Sequence, residues 1–185
     1  YPSTLSIAGA TGIVSKVAVT LNGFSHGFPD DVDVLLVSPD GQRVMLLSDV
    51  GGNADATNLV ITISPDAANG APDSVALTSG TYLPTDFEPG DAFDAPAPAG
   101  PYGTSLSTFT GINPNGTWSL YIMDDLNGDG GVVINGWQLV LTLAKPLTPV
   151  ADLALTGFVT PTTVVAGSNL NYTITVSNRG PDLAN

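Results

Sequence analysis

Two stretches of the sequence, 118–123 and 132–143, alternate apolar and polar side chains with a period of two. An acidic, glycine-rich stretch, 124–131, separates them. A period of two places every second side chain on one face of a strand, whereas a helix requires apolar residues three or four positions apart. Trp118 lies on the apolar face of the first stretch and Trp137 on that of the second. The pattern predicts two strands joined by a turn, forming half of a sandwich core in which both tryptophans are buried.

Short strand-like runs also fill the rest of the first 144 residues. Gly and Pro, 21 and 15 of 185 residues, favour tight turns, and no stretch shows the sustained apolar spacing of a helix. The region 64–105 contains seven prolines, which central strands do not tolerate, so it is predicted to be a long irregular excursion. Further strands are predicted at 4–8, 14–24, 32–37, 43–47, 59–63, 75–77 and 106–109. The sequence therefore predicts an all-β protein.

The character of the sequence changes after the first domain, which is predicted at 1–144. The segment 145–150 contains two prolines without periodic neighbours and is predicted to be a linker. Strands are predicted at 152–158 and 170–176, but two or three strands cannot bury a core by themselves. Residues 151–185 are therefore predicted to be the truncated start of a second β domain, and the chain is expected to be a piece of a longer protein.

The charge of the chain is one-sided. Seventeen acidic residues face four basic ones, which gives a net charge of −13. No basic stripe is available to neutralise phosphates, so nucleic acid and anionic membrane surfaces are excluded as partners. No apolar run reaches the roughly 18 residues of a membrane span, and the absence of Cys excludes disulfides and thiolate metal sites. We expect a monomer whose partners are neighbouring domains of its own chain or an extracellular protein or glycan.

The sequence offers few residues for catalysis. His26 is the single histidine, and it lies in a Gly/Phe/Pro turn without a recognisable nucleophile motif nearby. It is predicted to be a surface turn residue rather than a catalytic base. Paired carboxylates could serve glycoside hydrolysis, but the acids here lie in turns between strands. The segment is therefore predicted not to be an enzyme, and no catalytic residue is assigned.

The acidic turn between the two alternating stretches contains the strongest motif for a ligand site. Asp125, Asn127 and Asp129 place oxygens at alternate positions, and Gly130 is sixth, as in the first half of a calcium-binding loop. Gly136 occupies the position of the closing Glu, which excludes an EF-hand. The alternative is that these short polar residues only form a turn and provide solubility.

Three segments together resemble a known domain. They read Asp-Val-Asp-Val-Leu-Leu-Val-Ser-Pro-Asp-Gly at 31–41, Asn-Gly-Thr-Trp-Ser-Leu at 115–120 and Gly-Trp-Gln-Leu-Val-Leu at 136–141. In this order they resemble the P domain, or Homo B domain, of kexin- and furin-like proprotein convertases over residues 5–143. The resemblance implies a jelly-roll β-sandwich of about eight strands, which in convertases packs on a subtilisin-like catalytic domain and supports its folding. The excursion 64–105 is longer than in animal convertases, so its residues are assigned no role.

The tail resembles the Ig-like repeat that occurs in tandem in bacterial surface proteins. The matching residues are Ala151-Asp152-Leu153, Ala166-Gly167-Ser168, Tyr172-Thr173-Ile174-Thr175-Val176 and Asn178-Arg179-Gly180-Pro181. They correspond to the first half of such a repeat. This neighbour implies a large extracellular bacterial protein composed of β modules.

The fold implied by the P-domain resemblance brings acidic turns together. Antiparallel pairing of the strands at 14–24 and 132–143 places the turns 25–31, 49–58 and 124–131 at one end of the sandwich. Carboxylates about 4 Å apart repel by ~1–4 kcal/mol per pair, and a bound Ca²⁺ converts that repulsion into coordination. The predicted calcium ligands, the four best candidates first, are Asp31, Asp33, Asp125, Asp129, Asp30, Asp124, Asn127 and Asp49. The alternative is that these residues are solvated turn formers.

These observations lead to one functional prediction with two alternatives. The chain is predicted to be a non-catalytic extracellular accessory or interaction module of a larger bacterial secreted or surface protein, stabilised by Ca²⁺. The first alternative is the C-terminal folding and stabilising domain of a secreted subtilisin-like serine protease, which a peptidase domain upstream of Tyr1 would establish. The second is a carbohydrate-binding jelly roll, which requires Tyr or Trp side chains exposed on a sheet face.

Overall fold

The computed structural model describes residues 1–126, 128–145 and 151–180. Strands make up nearly all the regular structure in these ranges, together with two short 3-10 helices, Pro29–Asp31 and Leu106–Phe109. The strands are β1 (Ser3–Ile7), β2 (Ile13–His26), β3 (Val32–Val37), β4 (Arg43–Ser48), β5 (Ala56–Ile63), β6 (Gly80–Tyr82), β7 (Thr85–Asp86), β8 (Gly116–Asp124), β9 (Gly131–Val133), β10 (Trp137–Ala144), β11 (Leu153–Thr160) and β12 (Asn171–Asn178). No helix in the described ranges has the length and apolar character needed to cross a membrane. The predicted all-β character is confirmed.

The strands divide into two compact units, Tyr1–Lys145 and Pro146–Asn185. In the first unit, one sheet has the order β1-β8-β3-β4-β7, and the second has the order β10-β2-β5-β6, with β9 also paired to β2. The pairs β4–β7 and β5–β6 are parallel, and the other pairs of both sheets are antiparallel. The two sheets pack as a β-sandwich, as predicted, with ten strands in the first unit rather than about eight.

The main core lies between the two sheets and contains the inward side chains of both. Val17, Val19 and Leu21 alternate along β2 and are fully buried. They belong to the same apolar cluster as Val34 and Leu36, which alternate along β3 of the opposite sheet. Each fully buried side chain of this size contributes roughly 1.5–3 kcal/mol relative to an exposed one. The period of two in the sequence therefore becomes the stabilising core of the sandwich.

The two tryptophans differ in burial. Trp118 is 0% exposed, its ring contacts Phe109 edge to face at 5.3 Å, and its Nε1–H donates to the carbonyl of Pro114 at 3.0 Å. Trp137 is only half-buried, and its Nε1–H donates to Ser3 Oγ at 2.9 Å. The prediction that both are core residues is correct for Trp118 but too strong for Trp137. The reason is position, because β10 is an edge strand and has a neighbouring strand on one side only.

Two sequence-predicted strands are not strands in the structure. Residues 75–77 are irregular, although Leu77 is buried. Residues 106–109 form a 3-10 helix that buries Leu106 and Phe109, three positions apart. Leu106 and Phe109 would lie on opposite faces of a strand, whereas a helical turn places residues three positions apart on one face, so the 3-10 helix buries both.

The predicted strand at 132–143 is interrupted. It consists of β9 and β10, and residues 134–136 between them form a turn. Gly136 has a φ of +69°, a left-handed conformation that glycine adopts without steric cost. The carbonyl of Gly136 accepts a hydrogen bond from the N–H of Asn22 at 2.9 Å, which keeps the turn against β2.

The second unit contains one antiparallel ribbon, in which β11 pairs with β12. These strands overlap the predicted strands at 152–158 and 170–176. Leu155 lies opposite Val176, and Val159 lies opposite Tyr172, so one face of the ribbon is mainly apolar. Leu155, Tyr172 and Val176 are each exposed. A two-stranded ribbon has no second layer against which it can bury such a face.

A chain that ends at Lys145 is expected to fold cooperatively without the tail. Every residue of the main apolar cluster lies within Tyr1–Lys145, and so do all ten strands of the two sheets. Circular dichroism with a thermal melt checks this, and the shortened chain should keep the strand signal and a single sharp transition. A featureless melt, with the full chain melting normally beside it, would place the domain boundary elsewhere.

Candidate metal centre

The pairing of β2 with the last strands of the sandwich brings two acidic turns to one end. Trp137 lies opposite Leu21 and Val133 lies opposite Phe24, so residues 131–144 run back along β2. The N–H of Asp125 donates to the carbonyl of Asp31 at 3.0 Å, which joins the turn after β8 to the turn before β3. The convergence of the turns 25–31 and 124–131 expected from the sequence is therefore present.

Three carboxylates from three different segments form the first acidic group. Asp33 is the second residue of β3, Asp49 directly follows β4, and Asp91 belongs to the irregular excursion. One oxygen of each lies within 4.8 Å of an oxygen of both others. The hydroxyl of Ser48 lies 2.8 Å from Asp49 Oδ2 and 3.1 Å from Asp91 Oδ2. A hydroxyl has one proton, so it donates fully to only one of these carboxylates at a time.

The central member of this group is buried and incompletely hydrogen-bonded. Asp33 is 2% exposed, and its Oδ2 has no hydrogen-bond partner among the described residues. Asp86, at the end of β7, likewise has a buried Oδ1 without a partner in the described part of the chain. A buried polar atom that lacks a partner costs roughly 1–3 kcal/mol, and more if it is charged. These oxygens are therefore suited to a ligand that the protein itself does not supply.

The pKa values of acidic residues in and near this group are raised, which shows that their negative charge is poorly compensated. The pKa of Asp33 is raised to about 7, chiefly by burial and then by the negative charges of Asp91, Asp125 and Asp49, and a hydrogen bond from Ser48 offsets part of this effect. The pKa values of Asp86 and Asp125 are also raised, first by burial and then by the charges of Asp91 and Asp49.

Among the described residues, no basic side chain forms an ion pair with this group. The two ion pairs found among the described residues are Lys16–Asp66 and His26–Asp124, and neither includes a member of the first group. Lys16 lies near the start of β2, whereas the acidic group lies beyond the other end of that strand. The group is therefore a concentration of negative charge in a partly buried place.

The chemistry of the donors fits a hard divalent cation. All the donors are carboxylate oxygens, which Ca²⁺ prefers, and the group contains neither a nitrogen nor a sulfur ligand. Ca²⁺ takes six to eight oxygens and tolerates irregular geometry, so waters and backbone carbonyls can complete a set begun by three carboxylates. Asp33, Asp49 and Asp91 would hold such an ion, and the unpartnered oxygen of Asp33 would gain a counter-charge.

A second group of ionisable residues lies at the same end of the sandwich. His26 Nε2 lies 3.2 Å from Asp124 Oδ2, and Asp129 offers an oxygen within 4.8 Å of both. His26 Nδ1 lies 2.9 Å from the carbonyl oxygen of Phe28 and 3.1 Å from its backbone nitrogen. Asp124 and Asp129 are exposed, and the His26 ring already has partners at both nitrogens. This group is explained as a hydrogen-bonded contact that fastens the end of β2 to the end of β8.

The prediction that His26 is a surface turn residue is wrong. His26 is the last residue of β2 and is only 5% exposed. The Gly/Phe/Pro turn begins directly after it, so the side chain still belongs to the inward-facing alternation of the strand. Burial of the ring is possible because Phe28 and Asp124 provide hydrogen-bond partners for both nitrogens.

Four of the eight predicted ligands belong to the two groups, and Asp30, Asp31 and Asp125 belong to neither. Asp33 and Asp49 belong to the first group, and Asp124 and Asp129 belong to the second. Asp125 couples electrostatically to the first group. The pKa of Asp31 is raised by burial and then by the charge of Asp129. The pKa of Asp30 is raised by burial and then by the charge of Asp49. Asn127 lies outside the described residues.

Sequence reasoning missed Asp86 and Asp91. Both lie in the excursion, whose residues were assigned no role because it is longer than in animal convertases. One local signal was available, because Asp91 follows Gly90 in the same Gly-Asp step that occurs at Gly128 and Asp129. The contact of Asp91 with Ser48, 43 positions away along the chain, has no signature in the sequence.

Comparisons of this chain with protein-family models, with curated proteins and with solved structures found no match. The likeness to P domains and to Ig-like repeats therefore stays a prediction from the sequence, and the family of the chain is not assigned.

Proposed function

We propose that residues 1–145 form a non-catalytic, calcium-stabilised extracellular module that serves a larger bacterial secreted or surface protein as an accessory or interaction domain. Its partners would be neighbouring domains of the same chain or an extracellular protein. The observation that supports this proposal best is the buried, unpartnered Oδ2 of Asp33 beside Asp49 and Asp91. Calcium is abundant outside cells, and modules there bind it with dissociation constants on the order of 10⁻⁴–10⁻³ M.

A bound ion would change the energetics of the site in two ways. It would remove the repulsion among Asp33, Asp49 and Asp91, which have no basic neighbour among the described residues. It would also give the buried oxygen of Asp33 a partner. Because a ligand that binds only the native state stabilises it by mass action, the ion would act as a folding cofactor and not as a reactant.

The surroundings of His26 favour a non-catalytic role for the module. Acyl transfer requires a nucleophile hydrogen-bonded to a base that a third group orients. Among the described residues, the hydrogen-bond partners of His26 are Phe28 and Asp124, and neither offers a hydroxyl or thiol. The ring is thus held by a backbone carbonyl or amide and by one carboxylate, which is an arrangement suited to a structural contact.

Calcium is expected to raise the melting temperature of the chain. At ten times the dissociation constant the stabilisation is about 1.4 kcal/mol, which corresponds to about 3–6 °C for a domain of this size. The test compares melts in chelator and in 5–10 mM Ca²⁺ (roughly tenfold above the affinity range of such modules), with calorimetry to record the heat of binding. Mg²⁺ should stabilise less, because it gives up its waters reluctantly.

Two substitutions separate a specific site from general screening of the negative charge. Asp91→Asn should remove most of the calcium response, because Asp91 is one of the three clustered carboxylates. Asp66→Asn is the matched control, since Asp66 is an exposed acid paired with Lys16 near the opposite end of β2. An equal response in both variants, or no heat of binding in the parent, would contradict the calcium site.

A further inference from the structure

The outer face of the first sheet carries a second apolar cluster, separate from the main core. Val34 and Leu36 point into the sandwich, so Leu35 between them points to the opposite side of the sheet. Leu35, Met45 and Tyr121 form this cluster on β3, β4 and β8, and all three are buried. A sheet face that points away from the core is ordinarily solvated, so something must cover these side chains.

The cover is part of the irregular excursion. Phe93, which is 8% exposed, joins the outer cluster, and Tyr102 packs against it with the rings edge to face at 5.6 Å. Phe93 lies two residues after Asp91, a proposed calcium ligand. Asp33 lies on the same outer face of β3, two residues before Leu35. The acidic group and the apolar cluster are therefore neighbours under one covering segment, 87–101.

Few polar contacts attach this covering segment to the sheet. Within the described ranges, three hydrogen bonds join residues 87–101 to β4, to the residue after it, and to β8. They are the Glu88 N–H to Asp49 Oδ2 at 3.2 Å, the Ser48 hydroxyl to Asp91 Oδ2 at 3.1 Å and the Tyr121 hydroxyl to the Pro96 carbonyl at 3.4 Å. The first two end on carboxylates of the proposed calcium site. Attachment of the covering segment thus depends on the acidic group more than on any backbone ladder.

We propose that the calcium ion clamps the covering segment onto the first sheet, so that calcium controls whether the apolar face formed by Leu35, Met45 and Tyr121 is covered. This inference rests on the calcium site proposed above. Asp33 and Asp49 are fixed by β3 and β4, whereas Asp91 belongs to a segment without strands. When the ion leaves, the three carboxylates repel, and Asp91 is the one that can move. The covering segment then loosens while the sandwich stays folded.

Asp86 lies directly before the covering segment. It ends β7, which pairs with β4 through Leu47–Thr85 and Ser48–Asp86, so the chain is anchored to the sheet immediately before the covering segment begins. At the other end, the N–H of Met45 donates to the carbonyl of Gly103 at 2.9 Å. The segment between these two anchors is the part that opening would release, and the charges of Asp91 and Asp49 act on Asp86, whose Oδ1 is buried.

Hydrogen exchange read by mass spectrometry tests the proposal on the full chain, in chelator and in Ca²⁺ at ten times the measured dissociation constant. Exchange in residues 87–101 should be slowed about tenfold by calcium, because an ion that binds only the closed form reduces opening by that factor. In chelator, residues 87–101 should exchange much faster than peptides from β2 and β8, because the covering segment opens while the sandwich stays folded. Binding of an apolar dye in chelator, reversed by calcium, should report the uncovered face.

The variants and the possible outcomes separate the inference from the site on which it rests. Asp91→Asn should abolish the calcium dependence of exchange in 87–101, and Asp66→Asn should retain it. Heat of calcium binding with unchanged exchange in 87–101 would overturn the clamp and leave the calcium site in place. Exchange of 87–101 in chelator as slow as that of β2 and β8 would also overturn it, because the covering segment would then open only when the whole sandwich unfolds. Absence of any heat of binding would overturn both proposals.

Discussion

Replacing Trp118 with Ala is expected to destabilise the sandwich by about 3–5 kcal/mol, the range observed when a large buried aromatic is truncated. Trp118 is 0% exposed, so its removal would leave a cavity lined by core side chains. Two specific contacts would be lost as well, the edge-to-face contact with Phe109 and the hydrogen bond to the Pro114 carbonyl. Since domains are stable by only ~5–15 kcal/mol, this one change would consume a large share of the total.

Urea titration of the parent and of the variant measures the loss directly. Trp137→Ala is the matched control, because Trp137 is half-buried on the edge strand β10 and should cost less. If Trp118→Ala does not fold, Trp118→Phe keeps the comparison measurable, since Phe fills part of the cavity. A cost for Trp137→Ala equal to or greater than that for Trp118→Ala would contradict the placement of the two side chains.

In chelator, the chain is expected to lose stability as the pH rises from about 4 to 8. The pKa of Asp33 is raised from 3.8 to about 7, chiefly by burial and then by the charges of Asp91, Asp125 and Asp49. The folded state therefore holds a proton in the window in which the unfolded chain has released it. The stabilisation from this proton is complete below pH 4 and disappears as the pH passes about 7. The pKa values of Asp86 and Asp125 are raised as well, so their contributions have the same sign.

The expected loss is on the order of 4 kcal/mol at most, since each pKa unit corresponds to about 1.4 kcal/mol.

Asp33→Asn is the informative variant, because it keeps the shape of the side chain and removes its charge. In chelator at pH 8 it should be more stable than the parent, and its stability should depend less on pH between 4 and 8. In millimolar Ca²⁺ the order should reverse, because the variant has lost a ligand. Denaturant titrations across this pH range measure these stabilities. A parent chain whose free energy of unfolding rises with pH in chelator would contradict the prediction.

Residue alternation was sufficient to predict the all-β character of the chain because burial on one face of a strand leaves a period of two. The same reasoning failed at 106–109, where Leu-Ser-Thr-Phe forms a 3-10 helix, and at 132–143, where the turn at 134–136 splits the strand. It also placed Trp137 too deep, because alternation identifies a face but not whether the strand lies at the edge of its sheet.

Sequence reasoning likewise identified only part of the acidic cluster. Asp33 and Asp49 could be selected from the sequence because they lie next to strands whose pairing follows from the fold. Asp86 and Asp91 could not, because the path of an irregular excursion is determined by what it packs on. Phe93 covers Leu35 and Met45, which brings Asp91 to Ser48.

The sequence by itself therefore determined the all-β character, the longer strands and the sandwich through local periodicity, and its resemblance to P domains predicted the end of the molecule at which negative charge collects. Only the tertiary structure decided which carboxylates meet, which of them is buried without a partner, and that His26 lies inside the end of the sandwich. Those properties depend on contacts between residues far apart in the chain, such as Asp33 with Asp91 and His26 with Asp124. The physical reason is that burial and electrostatic coupling are fixed by distance in space, which a one-dimensional pattern of residues constrains only within a strand.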